Sequence, residues 1–398
     1  MTSLGTLNTS TGFAKIQSIS GGSDTNNQII IIDGTNGYSY NVGTGVATFP
    51  IADGDFPQDC IDLVTQDDYA IAINKNSVKY NISNLANSIV WEALDFASKI
   101  NNPDPLVGAI SHASKLVLFG DESTEVWYNG GDSDFPFAQY SDVLMHFGCA
   151  AKGSIVKNES YFVFLGKNPS GGYSVHLINP QSSAYNPIPI STKPIDQLIG
   201  SLTSVSDAIA YIYTIDGHSF YDITFPTDGI TLTCDIPRGD QADGIIWTKK
   251  SSLDGISQTR YRANCYAFCY GKRFVGDFNS GKIYYLDNST YTEDGTTILR
   301  QFISPPLFYE GKRILINKLQ IDVETGVGSN KTFTLEKSMD NGSTWTTVNT
   351  YTIPDKGGRI YTGPLGSSRY GILFRIQTTM DAKFILLGFQ AEFKICHN

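Results

Sequence analysis

The chain has 398 residues, room for two domains, and carries a net charge of −10 with 41% hydrophobic and 12% aromatic residues. That acidic balance argues against tight nucleic-acid binding driven by phosphate neutralisation, though not against a surface that DNA slides past. No apolar run approaches a membrane span and the opening MTSLGTLNTSTGF lacks a signal-peptide core, so the expectation is cytoplasmic synthesis without stable membrane insertion.

Residues before Asp24 are polar and rich in Gly and Ser, apart from an alternating segment from Phe13 to Ile19. A unit then recurs: an apolar run, a Gly/Asp/Asn turn, and a strand bearing Tyr or Trp. Its copies begin near Ile29, Ala70, Leu116, Tyr161, Tyr211 and Phe274, about 41 to 63 residues apart. Four-stranded propeller blades occupy roughly 40–50 residues, so six copies predict a six-bladed β-propeller over 13–300, after a tail of 1–12. A sandwich or stacked sheets would yield the same hairpins, and the pattern alone leaves them open. Phe13 to Ile19 is placed to add a strand to a terminal blade and cover an open edge. No convincing amphipathic helix is found; the best candidate is WEALDFASKI, Trp91 to Ile100.

The stretch from Arg273 to Leu307 is the handover. Phe274 and Val275, a turn at Asn279-Ser280-Gly281 and the return Ile283 to Leu286 form a last hairpin, and a connector runs on to Pro305-Pro306. Beyond it the strands lengthen and alternate cleanly, which predicts a β-sandwich over 301–398. Lys312, Arg313 and Lys318 cluster at its start. They read most simply as a solvated face and, more sharply, as a contact with a partner subunit.

Motifs that would carry chemistry are sparse. Ser338 to Trp345, SMDNGSTW, fits the S-x-D-x-G-x-T-W Asp-box of sialidases, a hairpin device away from catalytic centres. The cluster of arginines that a sialidase needs is not assembled. Asp53-Gly54-Asp55 starts like a calcium loop, but Pro57 stands where a third ligand belongs. Gly43-Thr44-Gly45 lacks the third glycine and the helix of a dinucleotide loop. The histidines are scattered, and His218 in a turn points to capping or packing. The six cysteines are expected to be free, mostly buried thiols; Cys265 and Cys269 have no second pair at metal-ligand spacing. No catalytic residue, cofactor or metal is expected.

Several segments carry a resemblance. WEALDFASKINNPDPLVG, LVLFGDESTEVWYNGGDSDFPF, FGCAAKGSIVKNESYFVFLG, SDAIAYIYTIDGHSFYDITFPT, RFVGDFNSGKIYYLDNSTYTEDG and LGSSRYGILFRIQTTMDAKFILLGFQAEF occur in one order from Asp53 to Phe393. They resemble the tail hub, or nozzle, proteins of short-tailed bacteriophages (podoviruses), also called packaged-DNA stabilisation proteins. The chain departs from that family at Leu365-Gly366-Ser367-Ser368-Arg369, where an Arg-rich segment is usual, and DIPRGDQADGIIWTKK matches only in part. The resemblance implies a virion structural protein of the tail without enzymatic activity. It implies a homohexamer below the adaptor (head-to-tail connector) ring, with a channel for genomic double-stranded DNA. It also implies sites for a tailspike or tail fibre, closure by a needle or plug protein, and a sandwich that forms the platform meeting the adaptor. Lys312, Arg313 and Lys318 would then be platform contacts. The alternative is a glycan-binding or sialidase-like propeller acting on host-surface glycans.

Overall fold

The computed structural model describes residues 4–10, 12–20, 26–168, 170–180, 185–236, 245–328 and 330–396. It divides into two compact units, one of residues 1–250 and 260–284 and the other of 251–259 and 285–398.

The first unit holds six antiparallel sheets in chain order. The first contains β1 (Lys15–Ile19), β2 (Gln28–Ile32), β3 (Gly37–Asn41) and β4 (Ala47–Thr48). The second contains β5 (Asp62–Gln66), β6 (Tyr69–Ile73), β7 (Lys79–Asn84) and β8 (Asn87–Ser98). The third contains β9 (Leu106–His112), β10 (Lys115–Gly120), β11 (Thr124–Asn129) and β12 (Phe137–Met145). In the fourth, β13 (Gly148–Cys149) and β14 (Val156–Lys157) both pair with β15 (Phe162–Lys167), followed by β16 (Tyr173–Ile178) and β17 (Ile188–Pro189). The helix α1 (Lys193–Gly200) leads to the fifth: β18 (Ile209–Ile215), β19 (His218–Phe225), β20 (Ile230–Ile236) and β21 (Ile246–Lys250). A hairpin of the second unit, β22 (Ser252–Asp254) and β23 (Ser257–Thr259), intervenes in sequence. The sixth sheet has three strands: β24 (Ala263–Cys269), β25 (Lys272–Asp277) and β26 (Ile283–Tyr285).

Local chemistry fixes the repeat. In four blades the first and second strands are joined by two residues that both have positive φ: Asp67-Asp68, Ala113-Ser114, Asp216-Gly217 and Tyr270-Gly271. That turn twists in the sense of the strands it joins, so it closes a tight hairpin. Five of the six repeat starts read from sequence fall in or beside a blade's second strand. The fifth, Tyr211, lies one strand early, because β18 is as aromatic as a second strand. Phe13 to Ile19 supplies β1, which pairs along the whole of β2.

Apolar side chains zip neighbouring sheets together. Ile30 and Ile32 meet Leu63, Ala70 and Trp91 between sheets one and two. Ile71, Ile73 and Tyr80 meet Leu116, Leu118 and Trp127 between two and three. Val117 and Phe119 meet Phe162 and Phe164, and Val163 and Leu165 meet Tyr221 and Ile223, in the next two seams. The seam between sheets two and three also contains a buried ion network. Lys99 Nζ donates to Asp104 Oδ1 at 2.5 Å, to Ser123 O at 2.9 Å and to Ser123 Oγ at 2.7 Å. The Asp104 carboxylate also accepts the amides of Glu122 and Ser123. Burial pushes the Asp104 carboxyl up, but these donors outweigh it and hold the group below its ordinary range.

Trp91 to Ile100, the best though unconvincing helical candidate in the sequence, is strand β8 and the residues just after it. Trp91 sets the phase. Its ring is buried edge-on against Phe56 (5.2 Å, 89°) and its Nε1 donates to Ser88 O, while Leu94, on the would-be apolar face, is 84% exposed. The helix that does form, α1, has Pro194 in its first turn and buries Ile199. No helix among the described residues is long and apolar enough to cross a membrane.

The second unit continues with the small hairpin β27 (Thr292–Glu293) and β28 (Thr296–Thr297) and then forms two packed sheets. Its long strands are β29 (Arg300–Ile303), β30 (Arg313–Val323), β31 (Thr332–Ser338) and β32 (Thr346–Thr352). They are followed by β33 (Ile360–Thr362), β34 (Gly366–Ser368), β35 (Leu373–Thr378) and β36 (Leu386–Cys396). One sheet runs β29-β35-β31-β32; in the other, β30 lies between β36 and the short β33 and β34. Ile316, Leu319, Ile321, Phe333, Leu335, Phe374 and Ile376 fill the space between them. The register of β30 against β36 shifts between Ile316 and Lys318. Strict alternation from Ile314 and Ile316 would point Lys318 inward; the bulge at Asn317 turns it out and puts Leu319 in the core.

Of the cysteines, Cys60, Cys149 and Cys234 are buried and their thiols are pushed up to about 12 by that burial. Cys265 and Cys269 are exposed and Cys396 is intermediate. The expectation of mostly buried thiols therefore holds for half of them. The apolar stretch around Cys265 lies in the three-stranded sheet, where Cys265 lines the space between the inner strands and Phe268 and Tyr270 stay exposed.

Candidate functional site

The propeller's inner strands line a cavity. Its lining comes from β1, β5, β9, β18, β24 and the segment from Lys152 through β14, one from each blade. Three ammonium groups converge on it. Lys15 Nζ lies 3.1 Å from Asp62 Oδ1. Lys152 Nζ donates to Ile61 O at 2.8 Å and sits 5.6 Å from the Phe13 ring centroid. Lys157 Nζ donates to Ser111 O. Burial lowers the Lys152 pKa, with Asp62 pulling it back and Lys15 pressing it down further; burial and then Lys15 lower that of Lys157. Asp62 itself is buried and fixed by the Ala109 amide at 2.9 Å. The cavity holds about 430 Å³, the size of a small-molecule site. A nucleic-acid duplex, whose major groove alone is ~12 Å wide, cannot pass through it.

The three basic residues singled out from the sequence are all exposed in the second unit, but they do not form one cluster. Lys312 lies 3.1 Å from Glu310 Oε2 and 5.6 Å from the Tyr309 ring centroid. Arg313 opens β30 and donates to Ser367 Oγ at 3.4 Å. Lys318, at the bulge, sits 4.0 Å over the Tyr361 ring, across from Glu392 on β36. Of the three, Lys312 is paired with a carboxylate, while Arg313 and Lys318 rest against a neutral hydroxyl and a neutral ring and keep their charge.

What sequence reasoning missed is aromatic. The bridges Leu307–Ile372 and Tyr309–Lys312 bring the turn before β30 beside the turn before β35. Arg369 Nε locks them by donating to Gly311 O at 3.1 Å. Phe308 and Tyr370 stand exposed there, and Tyr309 meets the half-exposed Phe393 at 6.1 Å. Exposed aromatics interleaved with Lys312, Arg313 and Arg369 have the composition of a protein interface. The sequence signal was available in L-F-Y-E-G-K-R and S-R-Y-G, where bulky rings flank turn glycines.

The Asp-box is a folding device here. Asp340 Oδ1 accepts the Thr344 amide at 2.9 Å and the Ser338 hydroxyl at 2.7 Å, and its other oxygen accepts the Thr344 hydroxyl at 2.5 Å. These donors, the Thr344 hydroxyl foremost, hold its carboxyl down at about 2. Gly342 supplies the positive φ, +90°. Trp345 lies against the Arg375 guanidinium at 4.4 Å, and Arg375 pairs with Glu336. Among the described residues no group of His, Cys, Asp and Glu is placed to hold a metal ion. His218 is exposed and bonds Asp235 at 3.0 Å across the β19–β20 ladder.

The chain matches two family models, described as bacteriophage P22 Gp10, beta-propeller, over residues 5–291 and bacteriophage P22 Gp10, beta-sandwich, over residues 299–394. No curated protein matches it. Similar solved structures include the Neurospora crassa Pan2 WD40 domain, at 8% identity and a TM-score of 0.38 over 63% of this chain and 69% of that one. Another is an exo-beta-1,3-galactanase from Phanerochaete chrysosporium, at 9% identity and a TM-score of 0.33 over 94% and 93%. At these scores the likenesses carry no functional argument. The two family models match the two sheet arrays in order and account for nearly the whole chain, so the protein belongs to the bacteriophage P22 Gp10 family, as a β-propeller followed by a β-sandwich and a structural component of the phage tail.

Proposed function

We propose that the chain is the hub, or nozzle, of a short-tailed phage. Six copies form a ring below the adaptor, retain the packaged genome, and provide the conduit for its ejection, with tailspikes or fibres on the flanks and a needle or plug protein closing the channel. The observation that carries this is the match of both family models, in order, along one chain.

Physical arguments support it. The propeller's own axis is too narrow for a duplex, so a DNA channel has to run between copies. A closed ring needs two different patches on each subunit. The aromatic and cationic surface around Phe308, Tyr370, Lys312 and Arg313 suits one docking face, and we assign it to the adaptor. Lys318 stands apart from that patch and contributes less. A net charge of −10 per chain lowers the grip on passing phosphate.

The test is the native mass of the purified chain, alone and mixed with the adaptor ring. A sixfold complex, above all one that appears only with the adaptor, supports the hub. A chain that stays monomeric with the adaptor present sinks it and favours the glycan-binding alternative. We also propose that the protein has no enzymatic activity. Steady turnover of a host-surface glycan by the purified chain would overturn that statement.

A further inference from the structure

We propose that the axial cavity of the propeller binds a small multivalent oxyanion of the oligophosphate class. The proposal is independent of the hub reading, because the cavity lies within one chain and does not touch the platform residues.

The cavity's charge is unbalanced. Lys15, Lys152 and Lys157 line it, no Asp or Glu does among the described residues, and the nearest carboxylate, Asp62, is engaged by Lys15 and by the Ala109 amide. One carboxylate against three ammonium groups leaves a net positive site between low-dielectric walls, where charge repulsion is poorly screened. The neutral lining adds donors. Gln17, Thr65 and Ser111 face the cavity, and Asn264 commits its Oδ1 to Arg260, which leaves its amide N–H groups free to donate.

The spacing argues for more than one phosphate. Asp62, which marks the level of Lys15, bonds the backbone at Ala109; Lys157 bonds it at Ser111. Two residues along a strand are about 7 Å. One orthophosphate does not bridge two cationic levels that far apart, whereas a di- or triphosphate does. The volume of about 430 Å³ accommodates one.

The experiment titrates pyrophosphate and tripolyphosphate into the purified full-length chain by calorimetry, in chloride buffer at fixed ionic strength, with the melting temperature as a second readout. One site per chain and a raised Tm are expected. Lys157→Gln should weaken binding about tenfold, the loss of one charge-assisted contact, and Lys15→Gln with Lys157→Gln should abolish it. Lys152 is left in place because, unlike the exposed Lys157, it is half-buried; Lys157→Gln alone decides the matter if the double variant does not fold. A 5′-phosphorylated oligonucleotide forms the second arm. If it competes with pyrophosphate, the same site also accepts a nucleic-acid terminus, in support of the proposal. No heat and no rise in Tm at millimolar oligophosphate, undiminished affinity in Lys157→Gln, or binding of the oligonucleotide alone would overturn it.

Discussion

Blades two and three and the sixth blade are built from the same hairpin yet solve burial in opposite ways. Between blades two and three, Ile71, Tyr80, Leu116 and Trp127 are sealed in a continuous core, and Lys99, Asp104 and Ser123 satisfy one another at its rim. The sixth sheet has three strands and buries only Ala263 and Val275, leaving Phe268 and Tyr270 exposed. A repeat can therefore keep its backbone geometry while its side chains serve different ends. The sealed seam holds the fold, and the open blade presents apolar surface of the kind that marks a contact site.

The largest effect that would break this comparison is expected at Lys99. Its side chain is 0% exposed. Lys99→Met leaves the buried Asp104 without its cation, and a loss of about 3–5 kcal/mol in chemical denaturation is expected. A loss below about 1 kcal/mol, the level of a surface ion pair, would mean that the seam does not lock the ring.

A second test uses pH on the packed side of the molecule. His176 is buried against Phe147 and Phe164, and that burial holds its imidazole at about 4. Above its ordinary pKa near 6.5 it is neutral whether folded or not. As pH falls from there toward 4, the unfolded chain takes up a proton that the folded chain refuses, so stability drops by about 3 kcal/mol over that window. His176→Gln should flatten this part of the stability-versus-pH curve; an unchanged slope would show that His176 is not the group responsible.

The smallest effect is expected at the open blade. Phe268→Ser with Tyr270→Ser should change the stability of the isolated chain by no more than about 0.5 kcal/mol, as for ordinary surface positions. The informative readout is the native mass of the assembled ring. Lost assembly at intact stability would make the sixth blade a subunit contact, and intact assembly would restrict that role to other faces.

Much of the propeller was legible because its signals are local. Turn residues such as Asp216-Gly217 adopt positive φ on their own account, and the β-branched and aromatic strands beside them pleat without help. The misreadings occur where a local pattern is ambiguous. Trp91 to Ile100 offered only an unconvincing helical period, and it is a strand because Trp91 packs on Phe56 and β8 pairs with β7. The Lys312, Arg313 and Lys318 group looked like one patch in sequence, yet an extended strand separates residues five apart by roughly 16 Å. The exposed aromatics beside Arg369 went unnoticed because their neighbours lie about 60 residues away in the chain, and only the bridge between the turns brings them together.

By itself, the sequence determined the all-β class, the repeated hairpins, the change of pattern near Pro306 and the family, since each rests on residues close together or on segments in a fixed order. The tertiary structure alone decided which charges meet. Lys15, Lys152 and Lys157 come from two blades more than 130 residues apart in sequence, yet ring closure turns them onto one cavity. Asn317 turns Lys318 outward only because β36 fixes the register of β30. Side-chain alternation is a local rule, but which strand lies alongside is set by chain closure, and that information is not local.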